Sequence, residues 1–339
     1  MSDAASVMFQ LRATRAAPPS LAGRGERRRT YGAALTQFDE LIAAATAAGA
    51  ASRPLALFYA LSQAGRAITA AQAPASWRLR GHGLSCPGTG TRPLAINVLR
   101  DPGQRGSGDR VDETPTRKPR AVDAFSGVAE ATESDVFQEK AALGALWSSL
   151  PEIASLLPAD TRVNWLRPLL IVPEDHEYPH LVDRSRVRVN VVGYHDHPET
   201  LCNHIKAHYP TAASVDFVHM AGLSSPMVQR TDYGTGILVS FPAESPGYMG
   251  HVATLDRVAT RGNLFEPRHL RPAVSGVALS PLMSWWTLLF GLSMLARYEP
   301  AGWTAALALD SSPLAAPLDE CLRRGVQRIP ELVLDALSS

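Results

Sequence analysis

Ser280 to Trp303 reads SPLMSWWTLLFGLSMLARYEPAGW, an apolar segment with a helix start signal and a helix stop signal. Ser280 can accept a backbone N–H at a helix start, Pro281 suits the first helical turn, and Pro300 cannot continue a helix. No residue from 282 to 296 is charged, so a helix between these signals has no polar face. Its fifteen uncharged residues are fewer than the ~20 that span a bilayer. The stretch therefore predicts a helix buried in the protein core.

The composition is that of a globular protein with a strong preference for arginine. A chain of 339 residues with 45% hydrophobic content can build one large core or two smaller ones. The formal net charge is +1, and the basic residues are Arg except for Lys118, Lys140 and Lys206. The planar donor fork of Arg suits phosphate recognition, but a genome-wide codon preference gives the same excess in a chain so rich in Ala.

Cysteine usage and the N-terminal sequence predict a cytoplasmic protein. Cys86, Cys202 and Cys321 are far apart and form no CxxC pair, so neither a disulfide framework nor a cysteine-based zinc site is predicted. Residues 1–20, MSDAASVMFQLRATRAAPPS, contain no basic segment followed by an apolar one, so we predict no signal peptide and no membrane association. No cofactor is predicted, and the oligomeric state stays open.

Residues 1–30 are predicted to form a flexible basic tail. They are rich in Ala, Pro, Gly and Arg, and six Arg against Asp3 and Glu26 give a charge of +4. Such a tail can hold nucleic acid, although flexible termini are more often simply solvated.

Residues 31–339 are predicted to form a single α+β domain, mainly helical at both ends, with a central antiparallel or mixed sheet and the buried C-terminal helix. Apolar residues recur at helical spacing from Tyr31 to Ala48 and again after the cap at Ser52. From about 100 to 122 the chain has almost nothing to bury, which predicts an exposed insertion loop. The other predicted elements are helices at 137–157, 198–208, 314–325 and 330–337, and strands at 94–99, 165–173, 186–194, 214–220 and 235–241.

Seven of the ten histidines fall within forty-four residues. Imidazole is the commonest transition-metal ligand, and His204 and His208 at i and i+4 would share one helix face. These two are the predicted metal ligands, although no HExxH motif occurs and a site needs three or four convergent ligands. Ordinary polar loops are the alternative interpretation of the cluster. The other five members are His176, His180, His195, His197 and His219.

Basic side chains alternate with valines along one predicted strand. In RVRVNVV at 186–192 the valines at 187, 189 and 191 occupy one face, and the polar residues occupy the other. Fixed positive charge and forked donors bind phosphates, although such a row is more often a solvated sheet face. The residues predicted to contact phosphates are Arg184, Arg186 and Arg188.

The familiar signatures of nucleotide-driven enzymes are missing. The chain contains no GxxxxGK[ST] phosphate loop, no GxGxxG between a strand and a helix, no GxSxG nucleophile elbow and no kinase motif set. The sequence therefore leaves open whether the protein is an enzyme.

The C-terminal segment resembles the YaaC-like protein family. WWTLLFGLSMLARYEPAGW at 285–303 and RIPELVLDAL at 328–337 match the C-terminal signature of that family. Three earlier segments agree with it in the right order: PLALFYALSQAGRAI at 54–68, HGL at 82–84 and LWSSLPEIASLLP at 146–158. The resemblance implies a fold and a bacterial intracellular protein, but it implies no particular activity.

The matching positions that are polar are Arg66, His82, Arg297 and Tyr298. One hypothesis places the first three in a polar pocket, where His82 exchanges protons and the arginines hold an anion, and makes Tyr298 a binding residue. In the alternative, Arg297 stabilises the end of its helix, Tyr298 anchors that end against the core with Trp303 nearby, and His82 bonds backbone in a tight turn.

Two functions follow from these hypotheses. The first is a non-catalytic interaction protein that contacts nucleic acid or a protein partner through the arginine-bearing strand and the basic tail. The second is a hydrolase that acts on a phosphorylated or nucleic-acid substrate, with either the pocket around His82 or a metal held by histidines.

Overall fold

The computed structural model describes residues 4–88, 92–101, 122–162, 165–173, 185–193, 198–219, 226–261 and 267–338. The chain divides into two compact units, whereas the sequence predicts one domain from residue 31. Unit 1 contains Met1–Trp147, Ser155–Trp165 and Leu279–Ser339, and unit 2 contains Ser148–Ala154 and Leu166–Ala278. Unit 1 is therefore assembled from both ends of the chain.

The described residues form helices at both ends of the chain, with short strands and further helices between them. The helices are α1 (Ala4–Thr14), α2 (Gly25–Ala47), α3 (Arg53–Gln72), α4 (Ala124–Ala131), α5 (Leu143–Ser149), α6 (Pro151–Ala154), α7 (Ala159–Arg162), α8 (Pro198–His208), α9 (Tyr248–Val258), α10 (Pro281–Tyr298), α11 (Pro300–Ala306) and α12 (Ala315–Ser338). The strands are β1 (Leu84–Ser85), β2 (Asn97–Arg100), β3 (Lys140–Ala142), β4 (Leu169–Pro173), β5 (Arg186–Val192), β6 (Asp216–Phe217), β7 (Val228–Thr231), β8 (Gly234–Pro242), β9 (Ala259–Arg261) and β10 (Arg268–Leu270). Helices lie at both ends of the chain and the sheets are antiparallel, which confirms the predicted α+β class.

α10 is the buried helix that the sequence predicts. The hydroxyl of Ser280 accepts the Met283 N–H at 3.3 Å, and Pro281 occupies the first turn. Nearly every residue from Leu282 to Leu295 is buried. Among the described helices, none combines the length and the apolarity that crossing a membrane requires.

Two tryptophans of α10 pack on glycines of neighbouring helices. A Cβ atom at Gly65 of α3 would lie 2.6 Å from the Trp286 ring, and one at Gly325 of α12 would lie 3.2 Å from the Trp285 ring. Because glycine has no side chain, each indole lies directly against the neighbouring backbone. These contacts hold α3 and α12 close to α10 in unit 1.

Two arginines cap the carboxyl ends of helices α2 and α3. The Arg53 guanidinium donates to the carbonyl oxygens of Ala45 and Ala48 at the end of α2. Arg27 donates to Ala70 O and Ala73 O at the end of α3, at 3.0 and 2.8 Å. The last carbonyls of a helix lack intrahelical partners, so a cation there both bonds them and opposes the negative end of the dipole.

The described residues of the predicted flexible tail, 4–30, are largely helical. Residues 4–14 form α1, and α2 begins at Gly25. Val7 and Leu11, four residues apart, bury one side of α1, and Arg12 forms a 2.8 Å ion pair with Asp39 of α2. The composition of this segment suggests a solvated tail, but its buried apolar stripe and the ion pair of Arg12 attach α1 to the rest of unit 1.

Two other predicted helices differ from the structure. The predicted helix at 137–157 is instead β3 followed by α5 and α6, and Pro151 stands at the first position of α6, where proline is tolerated. The two helices predicted at 314–325 and 330–337 are one helix, α12, with Pro330 inside it. The predicted insertion loop at 100–122 lies mostly outside the described residues.

Unit 2 is built on an antiparallel sheet in the order β6-β8-β5-β4-β10-β9, with β7 also paired to β8. β5 and β8 form its longest ladder, from Arg186 opposite Pro242 to Val192 opposite Gly236. One face carries the core cluster, which includes Val187, Val189, Val191, Leu201, Ile205, Tyr209, Val239, Phe241 and Val258. The valines alternate as the sequence predicts.

The other face of β5 is less exposed than predicted. Arg186 and Arg188 are only half-buried, but Asn190 is 3% exposed and Leu238, opposite it on β8, is fully buried. The prediction of a solvated face is therefore wrong for the part of β5 near Asn190.

Candidate functional site

The HGL turn projects His82 from a rigid backbone. Gly81 and Gly83 have φ values of +69° and +76°, a region that favours glycine. The turn is held from α4, because Ala124 N donates to Gly81 O and Phe125 N donates to His82 O. A Cβ atom at Gly83 would lie 1.9 Å from an Asp123 carboxylate oxygen. The sequence Gly-His-Gly therefore fixes the direction in which the imidazole leaves the backbone.

The His82 ring packs on two phenyl rings of the unit 1 core. Its centroid lies 5.4 Å from that of Phe58 on α3 and 6.1 Å from that of Phe290 on α10. Both phenylalanines are buried, whereas His82 remains exposed on its outer side. The predicted role of His82 as a residue that only bonds backbone in a tight turn is therefore incomplete.

Burial of one ring face lowers the pKa of His82, and the charges of Arg297 and Arg66 lower this pKa further. Desolvation and like charge both disfavour the imidazolium, so the effects act in the same direction. The charges of Arg66 and Arg297 therefore act on His82, and the side chains of all three residues are exposed. The assignment of these three residues to a catalytic site stays a prediction.

Arg297 lies beside two exposed tyrosine rings. Its guanidinium carbon is 5.7 Å from the ring centroid of Tyr59 and 5.6 Å from that of Tyr298, and it donates a hydrogen bond to the Tyr59 hydroxyl. Both distances lie within the range of cation–π attraction. We call the exposed side chains Tyr59, Arg66, His82, Arg297 and Tyr298 the tyrosine–arginine surface.

Tyr298 does not anchor the end of α10. Its side chain is 59% exposed, whereas Trp303 is buried and its indole N–H donates to Ala51 O at 2.9 Å. The predicted anchoring role of Tyr298 is wrong, because the buried Trp303 already fixes this part of the chain.

Tyr59 is the member of this surface that the sequence interpretation missed. It lies on α3 seven residues before Arg66, so the two residues share one helix face. Ser62 and Gln63 lie between them on the same face and are half-buried, in a helix that is otherwise largely buried. The narrow polar stripe along α3 was a sequence signal that could have identified Tyr59. Its partner Arg297, however, is 238 residues away from Tyr59 in the sequence.

The arginine row of β5 is partly engaged within unit 2. The Arg186 guanidinium donates to Asp216 at 2.7 Å and to the Ser240 hydroxyl at 3.0 Å. Lys206 Nζ lies 3.6 Å from the same Asp216 carboxylate. Arg188 is half-buried, and Arg184 lies outside the described residues. A phosphate at Arg186 would compete with a carboxylate that is already bound.

The predicted metal pair shares one face of α8. The ring centroids of His204 and His208 are 4.9 Å apart, and both burial and the charge of His208 lower the pKa of His204. Within the described residues, no group of three or more His, Cys, Asp or Glu side chains is arranged to hold a metal ion. His176, His180, His195 and His197 lie outside those residues, so metal binding by this pair stays a prediction.

The fold and this surface define an α+β protein whose helical unit exposes a cluster of tyrosine, arginine and histidine side chains. The chain belongs to the YaaC-like protein family, whose family model matches residues 12–337. Searches of the curated proteins and of the solved structures found no match.

Proposed function

We propose that this YaaC-like chain is a non-catalytic interaction protein that contacts nucleic acid through the tyrosine–arginine surface. The observation that carries the proposal is the position of Arg297 beside two exposed tyrosine rings, with Arg66 and His82 nearby. Guanidinium groups bind phosphates, and exposed aromatic rings stack on bases. Guanidinium groups beside aromatic rings therefore suit nucleic acid, which offers both phosphates and bases.

The basic N-terminal segment supports this role less well. Arg12 is paired with Asp39, Arg15 donates to the Thr36 hydroxyl, and Arg27 caps the carboxyl end of α3. A phosphate must displace a carboxylate at Arg12 and backbone carbonyls at Arg27, whereas Arg297 bonds the neutral hydroxyl of Tyr59. The arginine-bearing strand has the same disadvantage at Arg186.

Fluorescence anisotropy with a labelled mixed-sequence oligonucleotide tests the proposal. We expect binding that weakens as salt rises, and a double variant Arg66→Gln/Arg297→Gln that binds more weakly. If each arginine neutralises one phosphate of a single strand, the variant should lower the slope of log K against log salt by about 1.4.

The control is Arg29→Gln/Arg230→Gln, which removes two exposed arginines from α2 and β7. This control should keep the affinity and salt slope of the wild type. Equal losses in the two double variants would mean that binding depends on total charge, and the proposed surface would be wrong. The absence of any binding would exclude nucleic acid as the partner and leave a protein partner.

A hydrolase is the second candidate, and the lowered pKa of His82 favours it. A neutral histidine can accept a proton from water, and the two arginines whose charges act on His82 carry donors that can bind a phosphate. Incubation of a labelled oligonucleotide with the protein separates the two functions. Cleavage that disappears in His82→Ala, while binding persists, would establish the hydrolase and overturn the non-catalytic role.

A further inference from the structure

We infer that the tyrosine–arginine surface takes unstacked bases, so that its partner is a single strand rather than a duplex. This inference rests on the proposed function, because it specifies the form of nucleic acid that the surface accepts. It follows from the exposure of the aromatic rings rather than from the charge of the arginines.

Both tyrosines of the surface are exposed to solvent. Tyr59 is 37% exposed and Tyr298 is 59% exposed, whereas Phe58 and Phe290 beneath His82 are buried. A phosphate contact needs only the guanidinium groups. Stacking on a base, however, needs a ring face that the solvent can reach.

A duplex cannot use these ring faces. Its bases are stacked on one another and present only their edges in the grooves, so a protein contacts it through phosphates and base edges. Unpaired bases in single strands can leave the stack and lie on aromatic side chains or on arginine planes. The Arg297 guanidinium carbon lies over both tyrosine rings, within 6 Å of each centroid. A base would therefore stack on a ring face that the guanidinium leaves open, beside a group that can bind the phosphate of the same strand.

The openness of the surface favours a strand over a free nucleotide. Tyr59, Arg66, His82, Arg297 and Tyr298 are all exposed. A site for a small molecule usually encloses most of its ligand, because a small ligand has few atoms with which to offset the cost of association. A strand makes several weak contacts along an open surface, and together these contacts can provide enough binding free energy.

The test compares four ligands on the full chain: a labelled single strand, its duplex, an abasic strand with the same phosphates, and a free mononucleotide as competitor. We expect the single strand to bind at least about tenfold more tightly than the duplex and the abasic strand. We expect that the free mononucleotide, at the same concentration as the strand, does not displace the labelled single strand from the protein.

The matched variants isolate stacking from charge. Tyr298→Ala should weaken single-strand binding by about 5-fold or more, and Tyr298→Phe, which keeps the ring, should restore it. Tyr248→Ala removes a tyrosine on α9 that is 80% exposed, and it should bind like the wild type. Thermal melting of each variant checks that it is folded.

The outcomes separate the inference from the function on which it rests. If duplex and abasic strand bind as tightly as the single strand, the inference is wrong while nucleic-acid contact stands. Competition by the mononucleotide at matched concentration would replace the strand with a free nucleotide and also overturn the inference. If none of the nucleic acids binds, the proposed function itself fails.

Discussion

His82 is held where its charged form is disfavoured, and this position makes protein stability depend on pH. Its pKa is lowered in the folded protein by burial and by the charges of Arg297 and Arg66. The unfolded chain therefore takes up a proton first as the pH falls through the ordinary histidine pKa of about 6.5. The stability contribution of neutral His82 is present above that pH and is lost below it.

We predict that His82→Gln reduces the loss of thermal stability between about pH 7.5 and about pH 5.5, because glutamine does not titrate in this range. Melting temperatures of the two proteins at the two pH values provide the measurement. The same drop in both proteins would mean that His82 contributes nothing to the pH dependence.

Positive φ favours glycine at both Gly81 and Gly83, but only at Gly83 does a neighbouring side chain also leave no room for a Cβ atom. Both have positive φ, but only a Cβ atom at Gly83 would meet the Asp123 carboxylate, which caps α4 by accepting the Ser126 N–H. We predict that Gly83→Ala costs at least about 1 kcal/mol more than Gly81→Ala, because it also disturbs the cap. Urea unfolding of both variants measures the difference. Equal costs would show that Asp123 moves aside freely.

At the scale of elements, the contact between α3 and α10 depends on a missing side chain. A Cβ atom at Gly65 would lie 2.6 Å from the Trp286 ring and 2.7 Å from Val128. Both neighbours are buried, so neither can move without disturbing the core. We predict that Gly65→Ala destabilises the protein by about 1–3 kcal/mol through overpacking.

The control for this variant lies on α2. Gly32 is in the interior of the helix, and a Cβ atom there would meet nothing within 4 Å beyond the backbone of its own helix. Gly32→Ala should therefore stabilise the protein by about 0.5–1 kcal/mol through helix propensity. Denaturant unfolding should thus give changes of opposite sign for the same substitution. Stabilisation by Gly65→Ala would contradict the close approach of α3 and α10.

At the scale of the whole molecule, unit 1 needs both ends of the chain. A chain that stops at Ala278 keeps α1 to α4 but loses α10 and α12, which both pack on α3. Leu57, Leu61 and Ile68 of α3 are fully buried in the intact protein. We predict that the truncated chain loses more helical circular dichroism than the removed helices account for, because the remaining helices lack their core. Loss in proportion to the removed residues would show that α1 to α4 fold alone.

The buried helix α10 could be predicted from the sequence because its signals are local. The cap at Ser280, the stop at Pro300 and the uncharged residues between them act within a few turns of one helix. The α+β class followed in the same way, from apolar spacing that alternates between helical and extended periods. Arg66, His82, Arg297 and Tyr298 were singled out by their resemblance to a family rather than by any local pattern.

Only the tertiary structure decided which of these residues have partners. α1 packs on α12, which lies at the other end of the chain, and Arg12 pairs with Asp39, twenty-seven positions away. In the same way, Arg186 is engaged by Asp216, thirty positions away. Tyr59 belongs to the candidate site because it contacts Arg297, although the two residues are 238 positions apart in the sequence. Periodicity and capping depend on interactions between residues that are close in sequence. Long-range contacts depend on how whole helices and strands pack. Local signals were thus enough to predict the α+β class and α10, whereas the tyrosine–arginine surface depends on how distant helices pack.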